Sequence, residues 1–185
     1  MTRTLRAALA TVVATFTLAV AASPGAASAS GYEKASWGMT LDQVKKLYPG
    51  GTKDTSPAGD AAYFVKQKFA TQDAVVAFGF DGGQLAFVAI RFPEPGRKVD
   101  MKRVLYPSPT NEQAKAIAAT VRKDLDARYG APSFDADRQG PRPKRPTLRA
   151  AWNTPDGGST VAFEIIPDAE GLRTDVGVSY GKRDP

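Results

Sequence analysis

Carboxylates and cations are the side chains through which this chain could do chemistry. Its 185 residues include 19 Asp and Glu and 25 Lys and Arg, but no His and no Cys. Ser-His-Asp and Cys-His nucleophilic machinery is therefore impossible. Zinc, copper and haem sites lose their usual ligands. Phosphoryl transfer has no G-x-x-x-x-G-K-[ST] loop and no strand-linked G-x-G-x-x-G to support it. What remains is a carboxylate pair, because glycoside hydrolysis needs only two, about 5 to 9.5 Å apart. Glu164 is the one glutamate expected mid-strand, while Glu33, Glu94, Glu112 and Glu170 fall in loops or at a helix start. No spacing selects a partner for Glu164. The sequence thus assigns no catalytic residue, no metal and no cofactor.

The cations are more suggestive of binding. Arg138, Arg142, Lys144, Arg145 and Arg149 lie within twelve positions, interleaved with Pro141, Pro143 and Pro146. Prolines stiffen such a segment and keep it extended. A stiff basic loop can grip an acidic protein, a lipid headgroup or an anionic glycan. With Asp135 and Asp137 beside it, it also serves as a solvated loop. Trp37 precedes a helix cap, where it either staples the helix to a sheet or stands exposed as a binding anchor. Trp152 falls on an apolar strand face with Leu148 and Ala150 and reads as core. Arg149, Glu164, Arg173 and Asp175 are expected on a polar sheet face, with Lys66 and Lys68 on its counterpart. Cross-strand ion pairs are the plain account of that face, and a docking surface is the functional one. The candidate binding residues are Trp37, Arg142, Lys144, Arg145, Arg149 and Arg173.

Two helices and six strands are expected to carry these side chains. Thr40 caps a first helix whose apolar face is Leu41, Val44, Leu47 and Tyr48, ended by Pro49-Gly50-Gly51. Thr52 to Asp60 reads as loop. Strands follow near Ala62–Phe69, Val75–Phe80 and Leu85–Phe92, the last two joined at Asp81-Gly82-Gly83. In the second strand Val76, Phe78 and Phe80 share one face. Val75, Ala77 and Gly79 share the other, whose small residues would let a helix approach closely. A basic loop holds Arg97, Lys98, Lys102 and Arg103. A second helix spans Asn111 to Tyr129, with Thr110 and Gln113 as its capping box and Gly130 at its end. Ser133 to Pro146 reads as loop. The last strands are Leu148–Asn153, Ser159–Ile166 and Leu172–Tyr180, with Leu172, Val176, Val178 and Tyr180 on one face. The expected fold is α+β: two αβββ units in tandem, as possible repeats over 37–96 and 107–183, forming an antiparallel sheet with helices packed on one face.

The start of the chain has a different character. Arg3 and Arg6 precede an uncharged run from Ala7 to Ala22, and Ala27-Ser28-Ala29 follows Ser23-Pro24-Gly25. This is the pattern of a cleavable secretory signal over residues 1–29. The apolar run is shorter than the roughly 20 residues of a membrane anchor. Residues 30–185 then form one exported domain, periplasmic or extracellular, of 156 residues with a net charge of +4. That mild excess favours loose attraction to anionic envelope polymers, and no basic, aromatic-interleaved motif marks a nucleic-acid protein.

Three segments carry a family likeness. They are Trp37-Gly38-Met39-Thr40 with Val44 and Leu47, Asp81-Gly82-Gly83 with Leu85, and Tyr129-Gly130-Ala131-Pro132. In these the chain resembles small exported bacterial modules of the β-lactamase-inhibitor-protein-like fold and the BamE (SmpA) envelope domain. The resemblance implies a non-catalytic envelope protein that binds another envelope or secreted protein. It departs from those modules in lacking a lipidated Cys and disulfides. The expected function is thus an exported protein-binding or inhibitor-like module. The alternatives are a carboxylate-dependent hydrolase of envelope glycans using Glu164, and a charge-driven structural envelope protein.

Overall fold

The computed structural model describes residues 31–55, 61–101, 104, 106–145 and 147–182. The secretory signal expected over 1–29 lies outside the described residues, as do Lys102, Arg103 and Pro146.

Both long-range helices form where their caps place them. Helix α1 spans Leu41–Leu47 and α2 spans Asn111–Tyr129. Each begins at a threonine whose hydroxyl accepts from the backbone N–H three residues on, while the glutamine there accepts from the threonine's own N–H. Two orphan donors are satisfied at each start by this reciprocal pair. Gly130 ends α2 at φ +74, a region costly to residues with a Cβ. The α2 stripe of Ala114, Ile117, Ala118, Val121 and Leu125 is buried in full.

Eight antiparallel strands form one sheet. In chain order they are β3 (Thr52–Thr55), β4 (Ala61–Phe69), β5 (Gln72–Asp81), β6 (Gln84–Arg91), β7 (Phe134–Asp135), β8 (Leu148–Asn153), β9 (Ser159–Pro167) and β10 (Thr174–Lys182). Their spatial order is β3-β4-β5-β6-β10-β9-β8-β7, so the halves of the chain meet at the β6–β10 pair. One continuous row crosses six strands: Val65, Val76, Ile90, Val178, Phe163 and Ala150, each directly opposite the next. All six are buried and belong to the cluster that also holds Val44 of α1 and the α2 stripe. The fold is α+β, with α1 and α2 on this face.

Several expectations are corrected. The segment before α1, to which the sequence reading assigns no element, is a hairpin, β1 (Gly31–Tyr32) with β2 (Ala35–Ser36), and Tyr32 and Ala35 are buried in the main core. Segment 52–55, expected as loop, is the edge strand β3 paired with β4. Thr-Lys-Asp-Thr has no apolar alternation because an edge strand can have little to bury. Within the expected loop 133–146, Phe134–Asp135 forms β7, and Ala136–Gln139 forms the one-turn helix α3. Phe134 and Ala136 make a second small core with Leu148 and Ala162. Ala162 alternates with Val161 and Phe163, so this core lies on the opposite face of the sheet from α1 and α2. Leu172 is 67% exposed and lies outside the strand. The Asp168 carboxylate accepts from the N–H groups of Leu172 and Arg173 at 2.9 and 3.2 Å and holds them in the turn. Finally, α1 and α2 cover the Val76, Phe78 and Phe80 face, not the Ala77 and Gly79 face. The area gained by burying large apolar side chains outweighs the close approach that small residues permit.

Candidate functional site

The sheet face turned away from α1 and α2 carries mostly small side chains along its central strands. One residue along from the buried row runs Phe64, Ala77, Ala89, Ser179, Ala162, Ala151 and Phe134, again each opposite the next. The neighbouring row includes Ala62, Gly79, Phe87, Gly181 and Thr160. Phe87 is 50% exposed, on a strand at the middle of the sheet. Its ring lies over Gly79, where an added Cβ would run into it, and the Arg91 guanidinium covers Gly177 in the same way. The glycines are therefore required by close approach, and they lower the floor on which Phe87 stands.

Strand alternation alone would place Leu85 on the same side as Phe87. A register shift between Gly79 and Phe80 makes Ala86 an extra residue, so Leu85 turns into the core while Phe87 stays outside. The sequence signal for Phe87 was its phase with Ala89 and Arg91, and the bulge obscured it.

The other end of this face meets the described residues of the connection between β6 and α2, where Lys66 donates to the Val99 carbonyl at 3.0 Å. The neck of this connection is closed by the Glu94 N–H donating to the Pro107 carbonyl at 2.8 Å. Arg173 fastens the same neck, donating to the Glu94 carboxylate at 3.0 Å and to the Ser108 carbonyl. A loop with joined ends that packs on its own protein is an Ω-loop. Tyr106 of this loop is desolvated and sits near the Asp175 charge. Both push its phenol above the ordinary value, while Arg91 opposes them.

The sequence-predicted binding residues do not converge. Arg173 serves the loop neck. Trp37 is partly buried against the main core, and its indole N–H donates to the Ser159 hydroxyl at 2.9 Å. It staples the segment before α1 to the start of β9, and it also lines a cavity of about 460 Å³ with Gln84 and Lys182. Arg145 donates to Glu164 at 3.1 Å and Arg149 to Asp137 at 2.5 Å. Arg142 stacks over the Phe134 ring, 4.2 Å from its centroid. Residues 142–145 form a tight turn, with Arg145 N–H donating to the Arg142 carbonyl at 2.9 Å and exposed Lys144 inside it. The basic segment is thus folded back on its own scaffold instead of extended. Lys68 faces Asp73 across β4 and β5 at 2.8 Å, a cross-strand ion pair of the expected kind.

The best-buried charge lies between α2 and β7. Asp135 accepts from Arg122 at 2.8 Å and from the Asp137 N–H at 3.0 Å, and the hydrogen bond from Arg122 holds its carboxyl below the usual range. Arg122 also lies 5.2 Å from the centroid of the Trp152 ring, whose N–H donates to the Gly130 carbonyl at 3.0 Å. Trp152 is fully buried, as core. These groups lock α2 to the sheet. Glu164 is held by Arg145 at 3.1 Å. The described residues contain no cluster of three metal-ligating side chains and no helix long and apolar enough to cross a membrane. No protein-family model, no curated protein and no solved structure matches the chain.

Proposed function

We propose that the chain is a non-enzymatic, exported module of the cell envelope that binds a folded protein on the open face of its sheet. The observation that carries this reading is Phe87: a half-exposed aromatic on a central strand, lying across a floor of glycine, alanine and serine. Aromatic anchors at the centre of a flat, accessible patch are where binding energy concentrates. Small floor residues leave space for the partner's own side chains, and rigid strands reduce the ordering cost of binding. Arg142, Arg145 and Trp37 are rim or scaffold elements in this reading, because their side chains are already engaged.

The tandem arrangement of two similar units fits the same picture. In each half the N-cap threonine forms an isolated bridge to the residue at or just before the start of that half's last strand: Thr40 with Gln84, and Thr110 with Arg173. The residues alongside repeat the bond, Leu85 N–H to the Met39 carbonyl at 2.8 Å and Thr174 N–H to the Pro109 carbonyl at 3.1 Å. This repetition supports an internal duplication and the likeness to β-lactamase-inhibitor-protein-like and BamE-type modules. It extends each expected unit by an edge strand, β3 or β7.

The test is site-specific photo-crosslinking in the native envelope, with the photoreactive residue at 87 and, as control, at Lys123 on the outer side of α2. A discrete protein adduct from position 87 and none from 123 is expected. Equal smears from both, or no adduct at 87, would refute the docking face.

A further inference from the structure

We propose that the cavity between the β4–β5 strands and the first turn of the Ω-loop binds a phosphate ester of a small polyol or sugar. The cavity is about 450 Å³, within the range of small-ligand sites. Lys66 and Lys68 line it from β4, and Arg97 and Lys98 line it from the loop. Only two carboxylates share the lining, Asp73 and Glu94, and both are committed. Asp73 pairs with Lys68 at 2.8 Å, and Glu94 is shared between Arg173 at 3.0 Å, which stands outside the cavity, and Arg97 at 3.8 Å. Lys66 donates to the neutral Val99 carbonyl at 3.0 Å, so that bond leaves its charge uncompensated. The cavity therefore carries surplus positive charge against apolar walls from Pro93, Pro95 and Val99, which strengthen the field inside.

The walls are also set in advance. Arg97 N–H donates to the Glu94 carbonyl at 3.1 Å across Pro95-Gly96, with Gly96 at φ +76. Proline then glycine at the turn centre is the arrangement of a type II turn. The Lys66 bond to Val99 fastens the far side of that turn to the sheet. Preorganised donors lower the cost of binding. Lysine and arginine side chains lining one space suit a tetrahedral oxyanion. The remaining volume and the proline walls suit a compact carbon skeleton attached to it. The ligand chemistry is shared by a free polyol phosphate and by the same unit within a phosphodiester polymer.

The experiment is an amide chemical-shift titration of the folded chain with sn-glycerol 3-phosphate at constant ionic strength, with glycerol as the control. Saturable shifts confined to residues 66–68 and 94–99 are expected, with Kd below about 1 mM. The double variant Arg97→Gln/Lys98→Gln, on an exposed turn, should keep its melting temperature and bind at least about tenfold more weakly, as loss of two charge-assisted contacts implies. Lys144→Gln should bind as wild type. A short poly(glycerol phosphate) that binds more tightly per unit identifies the polymer as the source, and equal affinity per unit identifies the free ester. Shifts that stay linear to about 10 mM, or saturation unchanged in the double variant, overturn the proposal.

Discussion

Truncating Phe87 to Ala should cost the fold little and the binding face much. The ring is 50% exposed, so folding buries only about half of it. Full burial of a Phe side chain is worth roughly 1.5–3 kcal/mol, which makes the half-buried ring worth about 1 kcal/mol. No enclosed void is left, because the outer side of the ring already faces solvent. For a domain of this size, about 1 kcal/mol lowers Tm by roughly 2–4 °C. Phe78 is the internal comparison: it is 0% exposed on the helix-covered face, and Phe78→Ala should cost about 3–5 kcal/mol. Urea denaturation monitored by circular dichroism measures both, with the slope confirming a common unfolded state. For a partner captured through position 87, Phe87→Ala should weaken Kd by about 30-fold, the equivalent of about 2 kcal/mol at an anchor residue. If Phe87→Ala destabilises the protein as much as Phe78→Ala, the ring belongs to the core and the open-face reasoning fails. If stability behaves as expected but binding is unchanged, Phe87 is no anchor.

Three further outcomes follow from the polar contacts. Arg173→Met should destabilise by about 1–2 kcal/mol, a buried-pair loss discounted for the partial exposure of Arg173, and should speed amide exchange at Glu94, whose N–H closes the loop neck. Asp135→Asn should cost about 2–3 kcal/mol at neutral pH by leaving Arg122 short of its closest charge partner. The folded pKa of Asp135 lies below the ordinary aspartate value, so its contribution is complete above that ordinary value and is lost as pH falls through the folded pKa. The stability gap between wild type and Asp135→Asn, followed by thermal melts, should therefore shrink as pH is lowered from about 5. Trp37→Phe removes the bond to the fully buried Ser159 and should cost about 1–2 kcal/mol in a denaturation series, with the apolar packing retained.

Local chemistry was enough to place α1, α2 and six strands from the chain alone. The threonine caps, the Gly130 terminus and the glycine hairpin turns act within a few residues, and the three- to four-residue and two-residue periods report directly which side must be apolar. The exclusion of His- and Cys-dependent chemistry also required nothing but composition. Tertiary structure decided the rest. Edge strand β3 buries little and β7 is only two residues long, so neither leaves a period, and they form because β4 and β8 offer them open hydrogen-bonding edges. The face of β5 that receives the helices was settled by the summed area of six paired strands. The exposure of Phe87 depended on one bulge residue opposite Gly79 and Phe80. The basic segment reads as free charge in one dimension. In three, Arg145 pairs with Glu164, Arg149 pairs with Asp137, and Arg142 stacks on the Phe134 ring. A sequence records which groups need partners, and only the folded chain determines which partners lie within reach.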